Sequence, residues 1–250
     1  MSVKFVAHRG ESEAAPENTI ESFTLAWARG ARAIEGDFHL TSDGEVVCMH
    51  DSNAGRTCGV NRELAEMTLR EIKALDAGAW KGAQWRFTRV PTLAEVLATM
   101  PDYGEIFIEL KSVGAIVDPL KAIFAASGRR PEQLTFIAFD ETTISTVKKL
   151  FPAHRAYWLT CNWVGTWKEH CGFQYTPDEL VARLRKLGVD GIDLFEGQTT
   201  PEYIDALHAA GLSFNVWTVD CPERARTLIE WGVDSITSNR SYAIQQEVKR

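Results

Sequence analysis

The chain has 250 residues, 45% of them hydrophobic and 24% charged, with a formal net charge of −7. That length suits one large core rather than a small bundle or an all-β sandwich, and it is the usual size of a (β/α)8 barrel. The acidic balance, without any Lys/Arg block, excludes a broad nucleic-acid-binding face but not a small anionic substrate, because charge within a cleft outweighs the total.

The predicted elements alternate. A strand over residues 3–8 closes on His8, and a helix over 17–29 carries Ile20, Phe23, Leu25 and Trp27 before Gly30. A second strand spans 32–40, followed by the apolar run Glu45-Val46-Val47-Cys48-Met49, which closes on His50. Residues 51–91 read as an insertion after the second strand, with a helix-like stretch at 68–77 and an aromatic segment from Trp80 to Phe87, placed to cover the mouth of a barrel. Further strands are predicted over 105–111, 133–139, 155–160, 189–195, 212–219 and 234–238, which makes eight. An irregular stretch, 161–176, holds Trp163, Trp167 and Phe173. Helices at 177–187, 201–210 and 222–231 each open on Pro and stop before Gly188, Gly211 and Gly232, the expected asymmetry of helix ends. Eight strand–helix alternations predict parallel strands with helical crossovers, closed as a (β/α)8 TIM barrel and forming a single domain over 1–250.

The five cysteines, Cys48, Cys58, Cys161, Cys171 and Cys221, are odd in number and widely spaced. They predict a reduced, cytoplasmic protein rather than a disulfide framework. The chain enters a strand-like run directly after Met-Ser-Val-Lys, so no leader peptide is expected. No apolar stretch approaches the roughly 18 residues of a membrane span.

The residues with chemical potential lie at predicted strand ends. Glu35 and Asp37 share one strand face, where two carboxylates repel unless a cation or protons intervene. A solvated edge strand could carry such a pair, but the flanking Ile34 and Phe38 indicate burial. Glu109 stands alone among Ile106, Phe107, Ile108 and Leu110, with Lys111 on its face. It reads as half of a structural Glu–Lys pair, or as a third metal ligand beside a phosphate-facing lysine. Three oxygen ligands suit Mg²⁺ or Ca²⁺ rather than structural zinc. His8 and His50 each close an apolar run and have the pKa range for acid and base work. Arg9 offers a planar fork to phosphate oxygens. His39, His154, His170 and His208 have no comparable setting. Asp193, in Gly191-Ile192-Asp193-Leu194, is either a polar filler of the barrel interior or an acceptor for a substrate hydroxyl. The aromatic clusters at 80–87 and 163–173 read as packing under loops or as an apolar rim for an acyl chain.

The order His8-Arg9-Gly10, Pro16-Glu17-Asn18-Thr19, Glu35-x-Asp37, Thr41-x-Asp43-Gly44, His50-Asp51 and Glu109-Leu110-Lys111 resembles the glycerophosphodiester phosphodiesterases. The likeness continues through Val90-Pro91-Thr92-Leu93 to Val216-Trp217-Thr218-Val219 and Gly232-Val233-Asp234, and so covers nearly the whole chain. It implies a (β/α)8 barrel with its site at the C-terminal strand ends. It implies one divalent cation, Mg²⁺ or Ca²⁺, on Glu35, Asp37 and Glu109, with His8 and His50 as general acid and base. Arg9 and Lys111 would contact the phosphate, and Trp217 would line the pocket beside the glycerol group. The implied reaction is hydrolysis of a small glycerophosphodiester to sn-glycerol 3-phosphate and an alcohol, by attack of the substrate's own 2-hydroxyl or of water. One departure is Ser235-Ile236-Thr237-Ser238-Asn239-Arg240, where relatives often carry Asp-x-Pro; little consequence for the metal is expected. A lysophospholipase D acting on acylated substrates, or a barrel that binds phosphodiesters without turnover, are the alternative readings. Neither nucleic acid nor a membrane span is expected, and the sequence fixes no oligomeric state.

Overall fold

The computed structural model of the chain describes residues 3–112, 114–161 and 173–249. Among the described residues nine strands form: β1 (Lys4–Ala7), β2 (Ala33–Leu40), β3 (Val46–Cys48), β4 (Glu105–Leu110), β5 (Leu134–Ala138), β6 (Arg155–Thr160), β7 (Gly191–Phe195), β8 (Ser213–Trp217) and β9 (Ser235–Ser238). All but β3 pair in parallel around a ring, β1-β2-β4-β5-β6-β7-β8-β9, which closes through the β1–β9 pairing. The expected eight-stranded (β/α)8 barrel is therefore the architecture.

The ninth strand, β3, is the run that ends on His50. It pairs antiparallel with the last residues of β2, Phe38 to Leu40, beyond the stretch of β2 that pairs with β1. This return carries the chain back to the rim, where the Met49 amide donates to the Asp37 carbonyl at 2.9 Å.

The helices in chain order are α1 (Ile20–Ala28), α2 (Gly55–Cys58), α3 (Leu69–Lys73), α4 (Leu93–Ala98), α5 (Val117–Ser127), α6 (Glu141–Leu150), α7 (Pro177–Leu187), α8 (Pro201–Ala209), α9 (Pro222–Trp231) and α10 (Ser241–Glu247). Their starts follow local chemistry. Thr92 with Glu95 and Thr176 with Glu179 make reciprocal capping boxes that satisfy two of the free N–H groups at a helix start. Helix α1 begins three residues later than expected, because Thr19 takes the cap and Asn18 adopts a left-handed φ of 57°.

Side chains alternate across each strand. Outward residues such as Ile34, Phe38, Phe136 and Phe214 are fully buried under the helices. Inward residues Val6, Ala33, Phe107, Ile137, Tyr157 and Leu159 form a second apolar cluster inside the barrel. Segment 51–91 has its own small core around Leu64, Met67 and Ile72. It ties back to the β1–α1 loop through Lys81, whose Nζ donates to the Ser12 carbonyl at 2.7 Å. Trp80 and Phe87 in this segment are exposed rather than packed beneath loops. Trp163, Trp167, His170 and Cys171 lie outside the described residues. Cys48, Cys58, Cys161 and Cys221 are free thiols. Among the described residues no helix is long and apolar enough to cross a membrane.

Candidate active site

Glu35 and Asp37 on β2 and Glu109 on β4 point into the barrel at its C-terminal end, and each can offer an oxygen within 4.8 Å of the others. The register explains this, since Asp37 pairs directly with Glu109 across the two strands. All three are buried, and Glu35 Oε1 has no hydrogen-bond partner among the described residues. Burial, with Asp37 and Glu109 beside it, holds the Glu35 carboxyl well above the usual carboxylate range. Burial likewise pushes Glu109 up to about 8, against the pull of Lys111. Asp37 goes the other way. Burial disfavours its charge too, but Lys111 and Arg9 outweigh that and hold it well below the usual range.

The two cations expected at the phosphate both reach this cluster. Lys111 Nζ lies 2.6 Å from Glu109 Oε1 and 3.1 Å from Asp37 Oδ1. Arg9 Nε lies 3.2 Å from Asp37 Oδ2, and the Arg9 backbone amide donates to Glu35 Oε2 at 2.9 Å. Lys111 is ion-paired with Glu109, as a structural Glu–Lys pair would be, and it also lines the cavity. With all three acids ionised, as metal binding would require, they leave one negative charge against these two cations, so a divalent ion would turn the cluster net positive, the sign a phosphodiester requires. The all-oxygen donor set, the repelling carboxyls and the orphaned Glu35 oxygen fit a hard divalent cation.

Backbone geometry at Arg9 is unusual. Its φ is 56°, a region non-glycine residues rarely adopt, and Gly10 follows at φ 80°. A Cβ on Gly10 would come within 2.4 Å of Ser22 Oγ, so only glycine lets this turn pack on α1. Ser22 Oγ in turn donates to the Arg9 carbonyl at 2.9 Å.

The histidines are held by different partners. His8 Nδ1 meets Asn239 Oδ1 at 2.7 Å, and Asn239 Nδ2 donates to Asp220 Oδ2 at 2.6 Å. The amide oxygen is thereby turned to His8, so Nδ1 carries the proton and Nε2, 3.9 Å from Glu35 Oε2, is the basic nitrogen. Burial, then Arg9, brings the His8 imidazole down to about 4. His50 Nδ1 instead meets a carboxylate, Asp51 Oδ1, at 2.7 Å. Burial lowers the His50 imidazole as well. His39 contributes a ring nitrogen 3.1 Å from the His50 carbonyl, a role its sequence setting did not signal.

Sequence reasoning missed several supports. Asn18 donates to Asp37 Oδ2 at 2.7 Å and accepts from the Asp37 amide at 3.2 Å. Arg56, from α2, grips Asp51 (Nε to Oδ2, 2.6 Å) and Glu17 (Nη2 to Oε1, 2.7 Å), and Glu17 Oε1 also accepts from Arg9 at 2.9 Å. Despite the cost of burial, Arg56 and His50 hold Asp51 down at about 2. The motif Pro16-Glu17-Asn18-Thr19 was the available signal for Asn18 and Glu17, whereas nothing local marked Arg56. Asn239 lies in the stretch where the chain departs from the family pattern, and that departure bears on His8 directly.

His8, Arg9, Glu35, His50, Glu109 and Lys111 line one side of a cavity of about 280 Å³. Trp217 lines it from the far side. Its ring meets Phe139 edge-on at 5.6 Å, and its Nε1 donates to the Asp193 carbonyl at 3.1 Å. All eight residues expected at the site are thus in or beside one cavity, Asp37 through its contacts with Arg9 and Lys111.

The model of the glycerophosphoryl diester phosphodiesterase family matches residues 8–242. A glycerophosphodiester phosphodiesterase of Caldanaerobacter subterraneus is 32% identical over 246 residues, covering 96% of this chain and 95% of that protein. One of Bacillus subtilis is 26% identical over 257 residues, covering 94% of this chain and 82% of that protein. Among solved structures, an Oleispira antarctica phosphodiesterase in complex with the product sn-glycerol-3-phosphate superposes with a TM-score of 0.87 at 25% identity, covering 100% of this chain and 98% of that one. The glycerophosphodiester phosphodiesterase of Agrobacterium tumefaciens gives 0.81 at 25% identity, with 98% and 99% covered.

Proposed function

The chain belongs to the glycerophosphoryl diester phosphodiesterase family, a family of phosphoric diester hydrolases, and from that premise we propose that it releases sn-glycerol 3-phosphate from small glycerophosphodiesters at the C-terminal rim of the barrel. The observation that carries the reading is the meeting, in one cavity of about 280 Å³, of buried carboxylates, two cations and two histidines with assigned tautomers. A phosphodiester that binds there meets Arg9 and Lys111, positive groups just past the C-terminal ends of β1 and β4.

Glu35, Asp37 and Glu109 would hold a divalent cation, Mg²⁺ or Ca²⁺. Bound there, such an ion supplies Lewis-acid stabilisation of charge developing on phosphoryl oxygens. Arg9 and Lys111 orient the phosphate and add fixed positive charge without reorganisation.

The partners of the histidines distinguish their roles. An anionic carboxylate under Nδ1 favours imidazolium, so His50 over Asp51 is the general acid that protonates the departing alkoxide. A neutral amide does not, so His8 over Asn239 is the base that takes the proton from the nucleophilic hydroxyl, whether the substrate's own or that of water.

The test is release of sn-glycerol 3-phosphate from glycerophosphocholine by purified protein, first in EDTA and then with Mg²⁺, Ca²⁺, Mn²⁺ or Zn²⁺ added. Release that depends on one of these ions supports the reading. No release with any ion overturns the substrate assignment, and full release in EDTA with no metal retained overturns the metal site.

A further inference from the structure

The cavity has a further carboxyl that the chemistry above leaves unused. Asp193 is 1% exposed, lines the same cavity, and its Oδ1 has no hydrogen-bond partner among the described residues. In the ring of eight parallel strands β7 stands four places from β2, so Asp193 faces the cavity from the wall opposite Glu35 and Asp37. Thr237, on β9, lines the cavity too, is 3% exposed, and its Oγ1 is likewise unpartnered. These two residues flank β8, the strand that carries Trp217.

The barrel satisfies buried polar groups elsewhere on the same wall. Asn215, paired with Asp193 in the β7–β8 register, donates to the Ile192 carbonyl at 2.9 Å and accepts from Ser235 Oγ at 2.7 Å. Among the described residues no such partners meet Asp193 Oδ1 or Thr237 Oγ1. An unsatisfied buried acceptor costs stability, and a fold that satisfies its neighbour but not this one holds it for another purpose. Burial alone raises the Asp193 carboxyl to about 7.

We infer that Asp193, with Thr237, is the specificity-determining wall of the cavity, and that it recognises the vicinal hydroxyls of a glycerol group whose phosphate is held by Arg9 and Lys111. This rests on the reading given under Proposed function and refines its substrate class. A carboxyl oxygen accepts from hydroxyls, and a threonine hydroxyl both gives and accepts. A phosphate would be repelled at this wall. A quaternary ammonium head group would suit the charge and the Trp217 ring, but it has no N–H to satisfy either orphaned oxygen. An acylated glycerol replaces a hydroxyl donor with an ester and would leave a buried carboxyl unpaired, so the wall selects against lysophospholipids. Sites built to hydrogen-bond a hydroxyl reject analogues that lack it far more strongly than apolar pockets reject an extra methylene.

The experiment compares wild type, Asp193→Asn, Asp193→Ala and Thr237→Val by calorimetric binding of sn-glycerol 3-phosphate, ethyl phosphate and phosphocholine. Turnover of glycerophosphocholine and bis(p-nitrophenyl) phosphate is measured in parallel. Wild type should prefer sn-glycerol 3-phosphate to ethyl phosphate. Asp193→Ala should shrink that preference by about tenfold or more, and Thr237→Val by less. Asp193→Ala should also cut kcat/KM on glycerophosphocholine by a similar factor, mainly through KM, while leaving the hydroxyl-free diester within about twofold. Asp193→Asn, which keeps the side chain's shape and removes its ionisation, should fold with an undiminished Tm. An unchanged binding preference overturns the proposal, and so does a loss confined to phosphocholine. Equal losses on both diesters with a lowered Tm would show a structural residue instead. Wild type that binds sn-glycerol 3-phosphate selectively yet hydrolyses neither diester would defeat the hydrolytic reading alone, because the binding comparison stands without turnover.

Discussion

Asp51 Oδ1 lies 2.7 Å from His50 Nδ1, and both Asp51 oxygens are gripped by Arg56. This fixes the imidazole's tautomer and keeps the carboxylate beneath it ionised. His8 is held by an amide instead, so two like residues in one cavity, both lowered by burial, rest on unlike partners.

Replacing that carboxylate should therefore move one limb of the pH–rate profile and not the other. A bell-shaped profile is expected, with its alkaline limb set by loss of the His50 proton. Asp51→Asn removes the charge that favours imidazolium, lowers the His50 pKa, and should shift the alkaline limb about one unit to lower pH, with the acid limb unmoved. An unshifted alkaline limb would mean that His50 is not the acid.

Arg56 joins the two arms of the site, taking Asp51 with one edge and Glu17, the partner of Arg9, with the other. Its side chain is 43% exposed, so its loss should cost little stability. Arg56→Ala should lower kcat by about 10- to 100-fold, as misplacement of catalytic groups does, with Tm nearly unchanged. Arg56→Lys should recover only part, because an ammonium lacks the bidentate fork. Steady-state kinetics alongside thermal melts decides this.

His8→Ala and His50→Ala should each lose about 10²- to 10⁴-fold in kcat, the usual worth of a positioned acid or base. Circular dichroism should show the fold intact in both. Near wild-type turnover in either variant would remove that residue from the mechanism.

Metal removal should expose the repulsion among the buried acids. With its folded pKa raised, Glu35 retains a proton in the folded state that the unfolded chain gives up near pH 4.3. The folded state then binds more protons than the unfolded one, so stability falls as pH rises above that value. Melts in EDTA should show Tm declining with pH through this window. Glu35→Gln should flatten the decline and lose the rise in Tm that Mg²⁺ or Ca²⁺ gives the wild type. A Tm of the wild type that ignores both pH and added ion would contradict the site.

Asn18 is a stability residue as well as a positioning one. Its side chain satisfies both the Asp37 amide and Asp37 Oδ2 in a buried setting. Asn18→Ala leaves the Asp37 amide unpaired and strips a hydrogen-bond donor from Asp37 Oδ2, and should cost about 2 kcal/mol in urea unfolding, with weaker metal binding.

The sequence by itself determined what neighbours within a few residues can encode. Strand parity put Glu35 and Asp37 on one face, and Glu109 and Lys111 on another, because side chains alternate along any strand. Helix ends were legible wherever Thr, Pro and Gly cap them, while the start of α1 was misplaced because Asn18 serves Asp37 rather than the helix. What only the tertiary structure decided were the meetings across the ring. The antiparallel β3 returns His50 to the Asp37 strand. Asn239, 231 residues from His8 in sequence, sets that imidazole's tautomer. Asp193 faces the acids because barrel closure places β7 opposite β2. Periodicity fixes which way a side chain points, but which distant side chain it meets is fixed by the closure and register of the sheet.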